Sequence, residues 1–484
     1  MFANKKIRPW AVVLCISITL SLLVGCRGDE PTPPAEGDDP ALKTYEPYVM
    51  SPPTFTEDTT DYRALALAVF DGVSTSPAES FQYEVTEDNS IRLTAYTGEG
   101  GAVIIPDEID GKPVTALGEG LFKNSETLTA LSIPESVVSI EKDLLTGCRT
   151  IKVLRTPQLG ATRAPEDGFL AYFFGAATYE GMGFKVSTSL DTVILHDTVE
   201  KIAKGAFLDC DRLRMILLPD TLTEIEGFAF FNCSQLHYMP LPDSLTAVGD
   251  YAFSGCKALL SVTFPAATSR IGLGALMGCS AVEHITLPFT GESRDSESRH
   301  LGYIFGAEAY TWNTGYVPAS LKKVTLTEGD VPDYAFYECD RLALVELPDG
   351  CTRIGVRAFY GCDVLREIVC PASLRTIDDM AFAHCVVLGK VALNEGLTDI
   401  GLQAFYDCFS LVEITLPDSL TTLPNSAFAE CKCLKTVDLG ANMATVGKNA
   451  FYHCYSLATA TGGKTDMTVA EGNDALTSLS SPAQ

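Results

Sequence analysis

From about residue 123, apolar positions recur in a frame of 23 residues. One unit reads Leu213-x-x-Ile216-x-Leu218, Pro219, Leu222-x-x-Ile225, Ala229-Phe230 and Cys233. The first three apolar residues alternate as a short strand with one face turned inward, and proline, which cannot donate to a ladder, ends it. Leu222 and Ile225 return along the opposite wall, and Ala-Phe-x-x-Cys fills a tight turn where a small apolar thiol packs well. Cys210, Cys233, Cys256 and Cys279 keep this spacing, as do Cys339, Cys362, Cys385, Cys408, Cys431 and Cys454, with Cys148 in the same phase. No unit of 23 residues buries its apolar face alone, so the pattern predicts stacked coils sharing one core.

Two stretches break the frame. Cys148 to Cys210 spans 62 residues and Cys279 to Cys339 spans 60, each with room for two strands and an insertion, near 158–189 and 289–320. The insertions match: Leu170–Tyr179 reads LAYFFGAATY and Leu301–Tyr310 reads LGYIFGAEAY, six of ten identical at an offset of 131. A block of units has been duplicated with its insertion in place. Phe174 and Phe305, inside the shared motif, are expected to plug the core. Tyr179, Tyr310, Trp312 and Tyr316 are contact candidates, because aromatic side chains on protruding loops offer large area at little rotamer entropy.

The frame L-x-x-[IV]-x-L-P-x-x-L-x-x-I-G-x-x-A-F-x-x-C resembles the BspA-like leucine-rich repeat family over about residues 81–461. The resemblance implies a right-handed β-rich solenoid, with a parallel sheet on one side and short helical or irregular turns on the other. Residues 63–122 are expected to hold an N-terminal cap and first unit, with strands around Phe81–Val85 and Ile91–Ala95, followed by the solenoid over 123–461. The frame lapses after Leu457, and 462–484, small and polar, is expected to fray.

Ahead of the repeats, Lys5, Lys6 and Arg8 precede an uncharged run from Trp10 to Gly25, the pattern of a secretory signal. Its end, Leu23-Val24-Gly25-Cys26, resembles the bacterial lipobox, which implies a signal peptide over 1–25 and a lipid on the Cys26 thiol. Residues 26–62, with seven prolines and nine acids against two bases, are too polar to order themselves and are expected to act as a tether.

Composition narrows the function. With 62 acids against 35 bases the formal net charge is -27, which disfavours nucleic acid. No G-x-S-x-G, H-E-x-x-H, Walker loop or dinucleotide fingerprint occurs, so neither a catalytic site nor a cofactor is expected. The six histidines stand apart, and no C-x-x-C pair occurs, so no metal site is expected. The ladder cysteines are expected to be buried and unpaired, Cys351 and Cys370 stand at leucine positions, and off-frame Cys433 is expected to be exposed. Such a load of free thiols suggests a reducing or oxygen-poor habitat.

The outward strand positions form the broad face that solenoids offer to partners. They show no stripe of one sign, but Arg214, Met215, His237 and Tyr238 open a stretch, running to Leu260, that is more apolar than a solvated face requires. The expectation is a non-catalytic bacterial surface protein, held extracytoplasmically on the membrane by its lipid alone, whose solenoid contacts a host or bacterial surface protein or a polysaccharide. An envelope spacer without a dedicated ligand and a glycan-capture protein using the aromatic insertions are the alternatives. Adhesion itself is implied by the family resemblance alone.

Overall fold

The computed structural model describes residues 45–48, 61–164, 168–180 and 185–480. The signal segment, Cys26 and most of the tether lie outside the described residues.

The chain winds as a β-solenoid. Forward strands pair in parallel with the next coil at the sequence period, as in Ser261–Thr263 against His284–Leu287, Glu367–Val369 against Lys390–Ala392, and Glu413–Thr415 against Thr436–Asp438. Two-residue return strands, such as Glu224–Ile225 against Ala247–Val248, form a second parallel wall. Between the walls one apolar spine runs from Phe81 to Leu476.

The turns hold two columns. Phe336, Phe359, Phe382, Phe405, Phe428 and Phe451 stack with centroids 5.0, 5.0, 5.2, 5.1 and 5.7 Å apart and planes within 8° of parallel. Beside them the ladder cysteines lie buried and free of disulfides. Nine of these thiols donate to the carbonyl of the phenylalanine 26 residues earlier, one coil back and three residues on. Cys256 Sγ lies 3.2 Å from Phe230 O, which also accepts from Cys233 N. Cysteine therefore satisfies a second lone pair that alanine or leucine would leave empty. Burial raises these thiol pKa values, Cys279 to about 12, so they stay protonated and inert.

The interruptions leave the sheet intact. Val153 pairs with Thr192 and His284 with Lys323, both 39 residues apart, so each interruption is one long coil inside an unbroken ladder. A 3-10 helix, Leu170–Phe174 or Leu301–Phe305, takes the place of the Ala-Phe turn: Leu145 N donates to Phe173 O, and Leu276 N donates to Ile304 O. Phe174 and Phe305 are buried, filling the core.

At the N-terminal end an antiparallel hairpin, Phe81–Val85 with Ile91–Tyr96, joins the return wall through Lys112–Leu117. Three segments depart from the sequence expectations. A helix, Tyr62–Ala68, capped by Asp61, stands at the end of the expected tether. Residues 462–480, expected to fray, carry a strand, Thr468–Val469, and a helix, Asp474–Ser480. There the buried Asn473 accepts from Phe451 N and donates to Gly447 O and Ala470 O, satisfying polar groups of the last coil while Leu476 covers its apolar end. Cys433, expected to be exposed, is buried beside Phe409, whose ring packs against Tyr45 and Tyr48.

Candidate functional site

The apolar outward strip is occupied by the chain itself. Ala66 packs with Ala130, Val153, Ile194, Met215 and Leu217 on the outer face of the sheet, with Tyr62, Phe70 and Tyr238 around them. The Tyr62 ring lies 5.0 Å from His237 and 4.9 Å from Tyr238. Met215 is buried, His237 and Tyr238 are half-buried, and Arg214 stays exposed. The excess apolarity read from the sequence thus has a partner within the chain. Beyond it many outward residues, among them Ser261, Thr263, Glu346, Lys390, Glu413, Thr415, Thr436 and Thr459, are exposed and polar, with Val369 an exposed apolar exception.

The second insertion makes a different surface. After the 3-10 turn Tyr310–Trp312 comes one helical turn, Asn313–Tyr316. Trp312 and Tyr316 are four residues apart and therefore share a face. Their rings lie 6.3 Å apart at 18°, with 49% and 42% of their surface exposed. Asn313 between them is fully buried. Its Oδ1 accepts from Gly302 N at 3.0 Å and lies 2.9 Å from His300 Nδ1, and its Nδ2 donates to Tyr337 O at 2.9 Å. Thr314 adds a hydrogen bond to Glu338 O. Buried, fully bonded polar groups of this kind hold one geometry, so the two exposed rings stand on a fixed base.

Tyr310 plays another part. Its ring stacks on Tyr334 at 4.2 Å and meets Tyr337 edge-on at 5.2 Å, and the row continues from Tyr337 to Tyr360 at 5.1 Å. These faces are used within the protein. Burial, and then Glu338, pushes Tyr337 up to about 12, so it stays neutral. In the first insertion Tyr179 packs instead against Gly205, where an added Cβ would come within 2.3 Å of its ring. The twin loops keep one 3-10 turn but place their matched tyrosines differently.

Other groups are committed elsewhere. Two open depressions of about 300 and 260 Å³ sit at matching places in the duplicated blocks, under Pro157 and Pro288. Several of their arginines are paired: Arg163 donates to the carbonyls of Glu135 and Val137, Arg294 bonds Glu328 and lies over the Phe289 ring, and Arg353 pairs with Asp333 and Asp378. His384 and His453 pair with Asp407 and Glu430 of the preceding or following coil. Among the described residues no group of three or more His, Cys, Asp or Glu side chains is placed to hold a metal, and no helix is long and apolar enough to cross a membrane.

Comparison with known proteins gives the following similarities. The chain is similar to a leucine-rich repeat protein from Bacteroides ovatus, at 21% identity over 72% of this chain and 95% of that one, with a TM-score of 0.33. It is also similar to a leucine rich cell surface protein from Faecalibacterium prausnitzii, at 21% identity over 86% and 99% with a TM-score of 0.28, and to a T. pallidum leucine rich repeat protein, at 24% over 60% and 91% with a TM-score of 0.25. No curated protein matches. The BspA type leucine rich repeat region matches in six copies over residues 105–170, 181–297 and 329–458, well over half of the sequence. Repeats of this type are typical of bacterial surface proteins and are generally non-catalytic scaffolds. The chain belongs to the BspA-type leucine-rich repeat family.

Proposed function

We propose that this is a non-catalytic, lipid-anchored protein of the bacterial cell surface whose solenoid binds another macromolecule through the tip at Trp312 and Tyr316, with Tyr310 supporting that tip from within the coils. One observation carries the reading: two half-exposed aromatic rings on one helical turn stand beside a wholly buried asparagine whose amide oxygen and nitrogen are both bonded to the scaffold. Side chains ordered before contact lose little entropy on binding, which is why rigid aromatic anchors dominate contact energies. Lipid on Cys26 would hold the protein at the membrane, since two or more acyl chains give lasting attachment. Arg214 remains a candidate at the edge of the helix-covered strip. Met215, His237 and Tyr238 would become available only with that helix displaced, and Tyr179 is committed to its own coil.

The test uses the mature chain, immobilised and exposed to host matrix proteins, bacterial surface proteins and polysaccharides. The native protein should retain at least one of them. Retention should fall at least about tenfold, or roughly 1.4 kcal/mol, in the Trp312→Ala, Tyr316→Ala double variant, with melting unchanged. No retention by the native chain, or equal retention by the variant, would count against the reading.

A further inference from the structure

We propose that the tip formed by Trp312 and Tyr316 is a carbohydrate site, taking a neutral polysaccharide by stacking sugar rings on the two aromatic side chains. The inference deepens the proposed function and rests on it. Three independent observations choose this ligand class.

The first is size. Among the described residues, no large apolar side chain between Val138 and Val369 is exposed except Trp312 and Tyr316. A protein partner needs about 800 Å² on each side with an apolar centre. Two rings edged by exposed Glu308, Thr311 and Thr314 provide far less. A pyranose needs only a ring-sized platform for its C–H face, with oxygen groups at the margin for its hydroxyls.

The second is charge. From Leu301 to Ser320 there is one acid, Glu308, and no lysine or arginine, within a chain of net charge -27. Sulfated, phosphorylated or carboxylated polymers would meet the chain's negative field and find no cation within this segment to pair with. A neutral chain meets neither obstacle.

The third is the duplication, which supplies an internal control. Both insertions keep the buried 3-10 turn and the left-handed glycine after it, Gly175 and Gly306. They diverge just beyond the shared tyrosine: Glu180-Gly181-Met182-Gly183 stands where the second copy has Thr311-Trp312-Asn313-Thr314. The scaffold has been kept, while the ring and the asparagine that seats it belong to one copy only. Core filling does not account for this difference, because Trp312 is half-exposed and is not a member of the spine cluster.

Affinity electrophoresis of the full mature chain through gels containing a β-glucan, an α-glucan, a mannan or alginate tests the inference. At least one neutral polymer should retard the native protein, and alginate should not. Trp312→Ala should weaken retardation about tenfold or more, Trp312→Phe should recover most of it by restoring a ring, and Tyr452→Ala, an exposed aromatic elsewhere, should leave it unchanged. Circular dichroism of each variant separates lost binding from lost folding. Absence of retardation by every neutral polymer, or retardation that survives Trp312→Ala, overturns the inference. Trp312-dependent capture of a protein without any glycan overturns it too while leaving the proposed function standing; capture of nothing at all overturns both.

Discussion

At nine turns the thiol does two things: it fills a small apolar space, and it bonds a carbonyl in the neighbouring coil. Replacing Cys362 by alanine removes both, and should cost about 1–2 kcal/mol in denaturant unfolding. All fourteen described cysteines are buried and free, so a thiol reagent should label none in the folded protein and every one after unfolding. The packing role was legible from spacing alone. The hydrogen bond was not, because it joins residues 26 apart, one coil plus three, and needs the coils in register. Cys433 was misread for a related reason: a residue off the repeat frame gives no sign of the upstream segment, around Tyr45 and Tyr48, that packs beside it. Histidine adds a pH dependence. Burial lowers the pKa of both His196 and His300. The unfolded chain takes up these protons near pH 6.5, so below that value it binds more protons than the folded one and stability falls as pH drops toward the lower folded values. Melting temperatures at pH 7.5 and pH 5 should show this loss, and His300→Gln should reduce it.

At the scale of elements, the phenylalanine column joins coils that are otherwise held by short strands. Phe382 contacts rings on both sides, so Phe382→Ala should cost about 3–5 kcal/mol, near the upper end for a core aromatic. The helix Tyr62–Ala68 buries only Ala66 and shows Leu65, Leu67 and Val69 to solvent. Ala66→Arg should lift it off the sheet. Limited proteolysis should then cut near residue 70 while the solenoid stays intact; unchanged cleavage would mean the contact is weaker than the packing suggests. The repeat strands and the core-filling phenylalanines were readable because period-two alternation and a fixed interval name the inward face. The helix was not, since seven residues, Tyr62–Ala68, at the start of the expected cap are too few to carry a periodic signal. Its landing site was visible all the same, as outward Met215, Leu217 and Tyr238 among polar neighbours. The C-terminal helix was missed similarly, because Asn473 acts through hydrogen bonds to the last coil and not through hydrophobic pattern.

For the whole molecule, a continuous spine closed by a hairpin at one end and by Asn473 and Leu476 at the other makes the solenoid one scaffold. The N-terminal part of its sheet face is taken by the chain's own helix. The remainder is largely polar, Val369 excepted, and is cross-linked by pairs between coils, Lys323 with Glu346 at 2.7 Å and Lys390 with Glu367 at 3.3 Å. Which aromatics would face outward was only half legible: Tyr310 and Trp312 stand two residues apart, yet one stacks within the coils and the other is exposed. The contact surface we propose is the exposed pair Trp312 and Tyr316 of the second insertion. The most direct check is hydrogen–deuterium exchange of the full mature chain with and without the macromolecule it retains. The account expects new protection confined to residues 303–316 and the adjoining turn at 334–338. Protection spread along the open sheet strands, 261–263, 284–287 and 323–326, with the tip unchanged, would contradict it.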